Sequence, residues 1–127
     1  MTDLATTNFD EACRYLSQRD KGLAGIINDV GVCTLEIRSN RSVFEYLCRS
    51  IVYQQLSGKA AGTIHGRMLD LFVRRRASAE ALLDMPMERL RDAGLSRSKS
   101  LALYDLSERH VSGLLPARRQ LNRMTDQ

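Results

Sequence analysis

The segment Tyr53–Ser57 is the most informative stretch of the sequence for chemistry. It reads Tyr-Gln-Gln-Leu-Ser and lies where the helical apolar pattern breaks, so one helix must end there and another begin. Each glutamine amide carries donors and acceptors that need hydrogen-bond partners, which makes burial costly. On a turn between helices, Gln54 and Gln55 can instead project from the surface. Taken alone, the pair is also consistent with an ordinary polar helix end.

The other ionisable side chains mark no catalytic group. Four acids fall within predicted helices, where surface acids usually pair with residues at i, i+4: Glu45, Asp70, Asp105 and Glu108. His65 and His110 are single histidines on helices, for which a partly buried or surface role is favoured. A general base must be positioned beside the reacting atom, and nothing in the sequence marks one of these residues for that role.

The three cysteines, Cys13, Cys33 and Cys48, are widely spaced and form no Cys-x-x-Cys pair. They favour free thiols in a reducing compartment over a disulfide or a metal site. No apolar run approaches the roughly 20 residues that span a bilayer. The first seven residues lack the basic and apolar segments of a secretory signal. We therefore expect a cytoplasmic protein that binds no membrane and no metal.

The basic residues are unevenly distributed. The net charge is +4, from 19 Lys+Arg against 15 Asp+Glu, which is compatible with a polyanionic partner but not diagnostic of one. Basic clusters lie at 74–76, 97–99 and 118–119, whereas residues 1–36 hold six acidic and three basic residues. Each cluster alone is more often a solvated helix end than a phosphate contact.

Helical spacing of apolar residues organises the first part of the chain. It predicts a helix over 9–20, capped by Asn8 or Asp10, and a short helix over 23–29 that stops at Gly31. Elsewhere the strand signal is too weak to build a sheet. The sequence therefore predicts an all-α array of short helices, in one domain over residues 1–127.

Two serines frame the helices on either side of Tyr53–Ser57. Ser42 caps a helix that ends near Gln55, and Ser57 caps the next helix. The predicted inward residues are, on the first helix, Phe44, Leu47, Cys48 and Ile51, and on the second, Ala60, Ile64, Met68, Leu71 and Phe72.

Three further helices are predicted downstream. Ser78 opens a short helix, and Pro86 starts another that Gly94 terminates. Ser96 caps the last long helix, which runs to Gly113. Its predicted inward residues are Ala102, Leu103 and Leu106.

The order of these features resembles one protein family. Residues 44–61 are similar to the segment of the helix-hairpin-helix DNA glycosylases, specifically the 3-methyladenine (alkyl-base) branch, in which Gln-Gln-Leu/Ile-Ser precedes Ala-Ala. Leu-Leu-Asp-Met-Pro at 82–86, followed by 90–96 and Lys99, is similar to the family's stretch before a further long helix. The resemblance covers residues 9–127 and implies excision of alkylated bases from double-stranded DNA.

The resemblance implies a DNA-probing role for the turn. These enzymes extrude a base from the duplex at a cost of a few kcal/mol, and a side chain fills the gap. At the matching position, Gln55 would be the wedge that hydrogen-bonds the orphaned base, supported by Gln54. Leu56, Ser57 and Lys59 complete the predicted DNA-binding set.

Two features of the family have no counterpart in the sequence. The resemblance implies a glycine-rich hairpin that grips phosphates with a monovalent cation, followed by a catalytic aspartate. The chain has no tryptophan and no Gly-x-Gly, and Leu23–Ile27 imitates the hairpin only superficially. We therefore expect the hairpin and catalytic half to be absent. This interpretation leaves a truncated domain with no catalytic residue, no cofactor and little activity alone.

Three functions remain open at this point. The chain is a shortened alkyl-base glycosylase, a non-enzymatic DNA-binding module, or a helical protein-interaction module. Base release from alkylated DNA separates the first from the others, and salt-dependent DNA binding separates the second from the third. Because the apolar stripes of the helices at 42–55 and 97–112 would lack partners, we also expect a homo-oligomer formed through exposed apolar surface.

Overall fold

The computed structural model describes residues 8–36, 38 and 40–125, and these contain helices and no strand. The all-α prediction is confirmed. The helices are α1 (Phe9–Arg19), α2 (Lys21–Val30), α3 (Val43–Tyr53), α4 (Gly58–Leu69), α5 (Ala79–Leu83), α6 (Met87–Asp92), α7 (Arg97–Val111) and α8 (Arg118–Leu121), with a 3-10 turn at Val73–Arg75. In the described ranges, no helix has the length and apolar character needed to cross a bilayer.

The helices form two compact units, of which the first contains α1 and α2. The Asn8 side chain accepts the N–H of Glu11, which confirms the predicted cap of α1. α2 begins two residues earlier than predicted, because the Asp20 carboxylate accepts the N–H of Leu23 at 3.0 Å. It ends at Gly31, whose φ of +87° lies in the region that favours glycine. The prediction of a single domain stays a prediction.

The second unit, which contains α3–α8, has its core around α7. α3 packs against α4 and α7, and α5 and α6 also pack against α7. The largest fully buried apolar side chains come from five of these helices: Met68, Leu82, Leu90, Leu103, Val52 and Cys48. This packing brings the start of α7 to the end of α3, where the Gln-Gln pair lies.

Three predicted inward positions are exposed in the structure. Ala60 and Ala102 are exposed, and Leu47 is 37% exposed. Val52 and Ala61, which the pattern did not select, are fully buried instead. Apolar spacing shows that a helix has an inward stripe, but the rotation of that stripe depends on the helices that pack against it.

Most of the apolar stripes of α3 and α7 lies inside this core, so the expectation that both stripes lack partners was wrong for these residues, although Leu47 and Ala102 are exposed. Phe44, Cys48 and Val52 of α3, and Leu103 and Leu106 of α7, are all buried. The two helices pack against each other, and each therefore covers part of the other's apolar surface. In the first unit, by contrast, α1 and α2 have no buried residue.

Glu45 is a buried structural carboxylate rather than the surface acid that was predicted. It is 5% exposed and accepts the backbone N–H of Ser42 at 3.0 Å, which closes a capping box. It also accepts two hydrogen bonds from Arg76, at 3.1 and 2.9 Å. Burial alone would raise the pKa of Glu45, but the hydrogen bonds from Arg76 and Ser42 outweigh it and hold the pKa below 4.5.

Replacing Glu45 by glutamine is expected to lower the free energy of unfolding by about 1–2 kcal/mol at neutral pH. The folded-state pKa is lowered, so the stabilisation from the carboxylate is present above pH 4.5 and is lost as the pH falls through the folded pKa. The difference in free energy of unfolding between wild type and Glu45→Gln should therefore become smaller at acid pH. Urea unfolding from about pH 7 to about pH 3 measures this difference.

Asp105→Asn is the matched control for Glu45→Gln. Asp105 forms an i, i+4 ion pair with Arg109 in which both side chains are more than half exposed. Such pairs contribute about 0.5 kcal/mol or less, so the control should change stability little. If the difference in free energy of unfolding between wild type and Glu45→Gln stays constant down to acid pH, the conclusion that the ionised Glu45 carboxylate stabilises the fold is wrong.

Candidate nucleic-acid interface

The Gln-Gln pair forms the turn between α3 and α4, as predicted. Gln54 follows the last residue of α3, and Gln55 has a φ of +56°, in the left-handed region. The Leu56 N–H donates to the Tyr53 carbonyl at 3.3 Å and closes the turn. A left-handed backbone costs a non-glycine residue about 1 kcal/mol. Strain of this kind persists only where the surroundings hold it, and it concentrates at functional sites.

All five residues predicted to bind DNA are exposed, and four of them are contiguous: Gln54, Gln55, Leu56 and Ser57, with Lys59 in the first turn of α4. We call this surface the Gln-turn. The Ser57 hydroxyl accepts the N–H of Ala60 at 3.3 Å, which confirms the predicted cap. The structure therefore brings the whole predicted set to one helix junction.

Lys99 fixes the backbone of the Gln-turn. Its Nζ donates to the carbonyls of Val52 and Gln54, both at 2.8 Å. Carbonyls at a helix C-terminus lack partners within the helix, and a cation there also faces the negative end of the helix dipole. Because Lys99 lies in the first turn of α7, whose cap is Ser96, core packing holds the ammonium in place.

Sequence reasoning did not assign Lys99 to the site. It lies 45 residues after Gln54, so no local spacing connects them. One signal was available, however. A cation in the first turn of a helix opposes the helix dipole, and the first turn of α7 contains no acid. A lysine at that position therefore suggests a contact outside its own helix.

Tyr53, the residue before the Gln-turn, contacts two cationic or ionisable side chains. The Arg49 guanidinium lies 3.9 Å from the ring centroid, and the His65 ring lies edge-on with its centroid 6.0 Å away. Arginine over an aromatic face is favourable. Burial, and then the charges of Arg49, Arg41 and Arg75, lower the pKa of His65, so its imidazole is neutral at pH 7. His65 is half-buried, as predicted.

The described residues provide no metal-ligand set, since no three His, Cys, Asp or Glu side chains cluster among them. Cys48 is fully buried, and burial followed by the charge of Glu45 raises the pKa of its thiol to about 12. A thiol with so high a pKa is a poor nucleophile. Asp70 pairs with Arg75, and Asp105 with Arg109.

Comparison with known proteins finds relatives among DNA glycosylases and glycosidase-like proteins, although the sequence matches no protein-family profile. DNA-3-methyladenine glycosylase 1 of Schizosaccharomyces pombe is 29% identical over 95% of this chain and 54% of that protein. The alkylbase DNA glycosidase-like protein mag2 of the same yeast is 22% identical over 95% of this chain and 58% of that protein. The chain thus spans a little over half the length of these relatives.

Two solved structures are similar to most of this chain. The S. pombe 3-methyladenine DNA glycosylase Mag1, in complex with abasic DNA, matches 91% of this chain and 57% of that one, with 29% identity and a TM-score of 0.76. A DNA-3-methyladenine glycosidase from Bacillus halodurans matches 80% of this chain and 45% of that one, with 36% identity and a TM-score of 0.65. The chain is thus similar in sequence and in fold to 3-methyladenine DNA glycosylases, of whose length it spans about half.

Proposed function

We propose that this chain binds duplex DNA at the Gln-turn, in the repair of alkylated bases by base excision. The observation that carries the proposal is Gln55, an exposed amide on a strained left-handed backbone that Lys99 holds in place. A protein that extrudes a base from the duplex benefits from a side chain that fills the gap, and a fixed backbone presents such a side chain at a defined place. The relative Mag1, solved in complex with abasic DNA, supports this proposal.

Each residue of the Gln-turn has a role in this proposal. The Gln55 amide offers both donors and an acceptor to the orphaned base, and Gln54 supports it at the end of α3. Leu56 is 39% exposed and offers an apolar contact to the stacked bases. Ser57 orients the N-terminus of α4, whose N–H groups and Lys59 suit a DNA phosphate.

The proposal assigns no catalytic residue and no cofactor to this chain. Three of the four acids that were predicted to be helical form ion pairs with arginine: Glu45 with Arg76, Asp70 with Arg75, and Asp105 with Arg109. A carboxylate engaged in this way is not poised to assist attack on a sugar. We therefore propose that the chain alone binds abasic or damaged duplex without releasing bases.

Fluorescence anisotropy with two duplexes of one sequence, intact or with a single abasic analogue, tests this function. The expected result is tighter binding to the abasic duplex and an affinity that falls with salt. Base release from an alkylated duplex is expected to stay at background. Measurable release would overturn the binding-only proposal in favour of an enzyme, and absence of DNA binding would favour the protein-interaction module.

Self-association and a cytoplasmic location remain part of the proposal. The surface that supports self-association lies in the first unit, where apolar side chains are 59–76% exposed: Ile26, Val30, Val32 and Leu35. Exposed apolar surface of this kind favours association of protein chains.

A further inference from the structure

Four cationic or ionisable side chains from separate elements lie along α3 and α4, which meet at the Gln-turn: Arg41, Arg49, His65 and Arg75. Arg49 of α3 lies on Tyr53, and Tyr53 in turn contacts His65 of α4. Arg75 of the 3-10 turn donates to the Gly66 carbonyl at 3.5 Å, one residue beyond His65. Arg41 lies just before α3, and its charge contributes to the lowered pKa of His65. We call this set the α3–α4 basic strip.

Few acidic side chains neutralise the positive charge of the strip. Asp70 pairs with Arg75, whereas Arg41 and Arg49 form no ion pair with the residues that the structure describes. Arg118 of α8 adds a further cation, since its guanidinium donates to the Arg41 carbonyl at 3.1 Å. Like charges held together repel each other, so this arrangement is stabilised most by an anion that several arginines contact at once.

We propose that the α3–α4 basic strip binds the phosphates of a DNA strand that continues past the Gln-turn. This inference rests on the proposed function and extends its contact surface. α3 has 11 residues and is about 16 Å long at 1.5 Å per residue, and a DNA strand carries one phosphate per roughly 3.4 Å of helix axis. The strip therefore matches several consecutive phosphates. Arginine suits them because its planar fork donates two parallel hydrogen bonds to one phosphate.

His65 should make DNA binding by the strip depend on pH. Its imidazole stays neutral because it is partly buried and because Arg41, Arg49 and Arg75 face it, with Asp70 beyond Arg75. A phosphate on these arginines offsets their charge and raises the pKa of His65, so binding should take up a proton. DNA affinity is therefore expected to rise more steeply in the wild type than in His65→Gln as the pH falls below neutrality.

The test compares the salt dependence of DNA binding for the wild type and for a variant that carries Arg41→Gln and Arg49→Gln. Each lost phosphate contact lowers the slope of log affinity against log salt by about 0.9, so a decrease of about 2 is expected. Affinity at moderate salt should fall roughly tenfold or more, equally for abasic and intact duplex, since phosphates are common to both. Arg49→Lys, which keeps the charge, should retain most of the slope.

The first unit provides a matched control. Arg19 lies over the Tyr15 ring at 4.5 Å, as Arg49 lies over Tyr53, and Arg14 is exposed nearby on α1. The variant with Arg14→Gln and Arg19→Gln removes the same charge and should leave the slope unchanged. An equal decrease in slope for this control would show that net charge alone is responsible. The proposal that the strip binds DNA phosphates would then be wrong.

Three other outcomes are decisive. If the slope is unchanged in the strip variant while Gln55→Ala still loses its preference for abasic duplex, the strip is wrong and the proposed function stands. If the wild type binds no DNA, both fail. If inorganic phosphate raises the melting temperature while the strip variant keeps the wild-type slope, the strip belongs to a small anion, and the proposal is overturned.

Discussion

Gln55→Gly is expected to stabilise the protein by about 0.5–1 kcal/mol while weakening its binding to abasic duplex about tenfold. Glycine adopts the observed φ of +56° without the steric cost that glutamine bears. The greater freedom of glycine in the unfolded chain offsets part of that gain. Loss of one side-chain hydrogen bond to the orphaned base, about 1.4 kcal/mol, gives the tenfold decrease in affinity. Urea unfolding and anisotropy measure the two effects.

Because Gln55→Gly should raise stability and lower affinity for abasic duplex, the weaker binding cannot be explained by unfolding. Gln55→Asn keeps an amide and tolerates the left-handed region, so it should retain part of the abasic preference. Gln54→Gly, at an ordinary φ of −57°, should be destabilising instead. Unchanged abasic binding in Gln55→Gly would show that the wedge assignment is wrong. A loss of stability would show that the positive φ is not strained.

Local signals in the sequence predicted the helix starts because caps act over three residues. Ser42, Ser57, Ser78 and Ser96 each accept an N–H three residues later, as their positions before apolar runs had indicated. The turn between α3 and α4 was predicted for the same reason, since the apolar pattern breaks there. The residues that cap helices can therefore be recognised from a single sequence.

Contacts between distant residues could not be predicted in this way. Glu45 is buried because Arg76, 31 residues later, meets it, and no periodic pattern connects the two. Lys99 reaches the Gln-turn only because α7 packs against α3. The positive φ of Gln55 was also unforeseen, because a glycine is the usual residue there. The site was located from the sequence, but the means by which it is held was not.

Lys99→Met is expected to lower the preference for abasic over intact duplex roughly tenfold and to destabilise the fold by about 1–2 kcal/mol. Methionine keeps most of the side-chain length but loses both hydrogen bonds to the end of α3. Hydrogen bonds from a charged donor contribute about 1.5–3 kcal/mol. Part of this loss of stability is offset, because the substitution also removes a cation that opposes the helix dipole in the first turn of α7. Once the turn is released, Gln55 is no longer held in position.

Lys59→Met is the matched control, since it removes the same charge from an exposed first turn. It should lower affinity for both duplexes alike, with little change in stability or abasic preference. Lys99→Arg keeps a cation and should restore part of the preference.

A double variant distinguishes positioning from direct contact. If Lys99 acts only by holding the turn, Lys99→Met should cause no further loss of abasic preference in the Gln55→Gly background, because the side chain that it positions is already gone. The destabilisation should persist there, since the carbonyls of Val52 and Gln54 still lose their donor. An additive loss of preference would mean that Lys99 itself contacts the DNA, and the positioning role would be wrong.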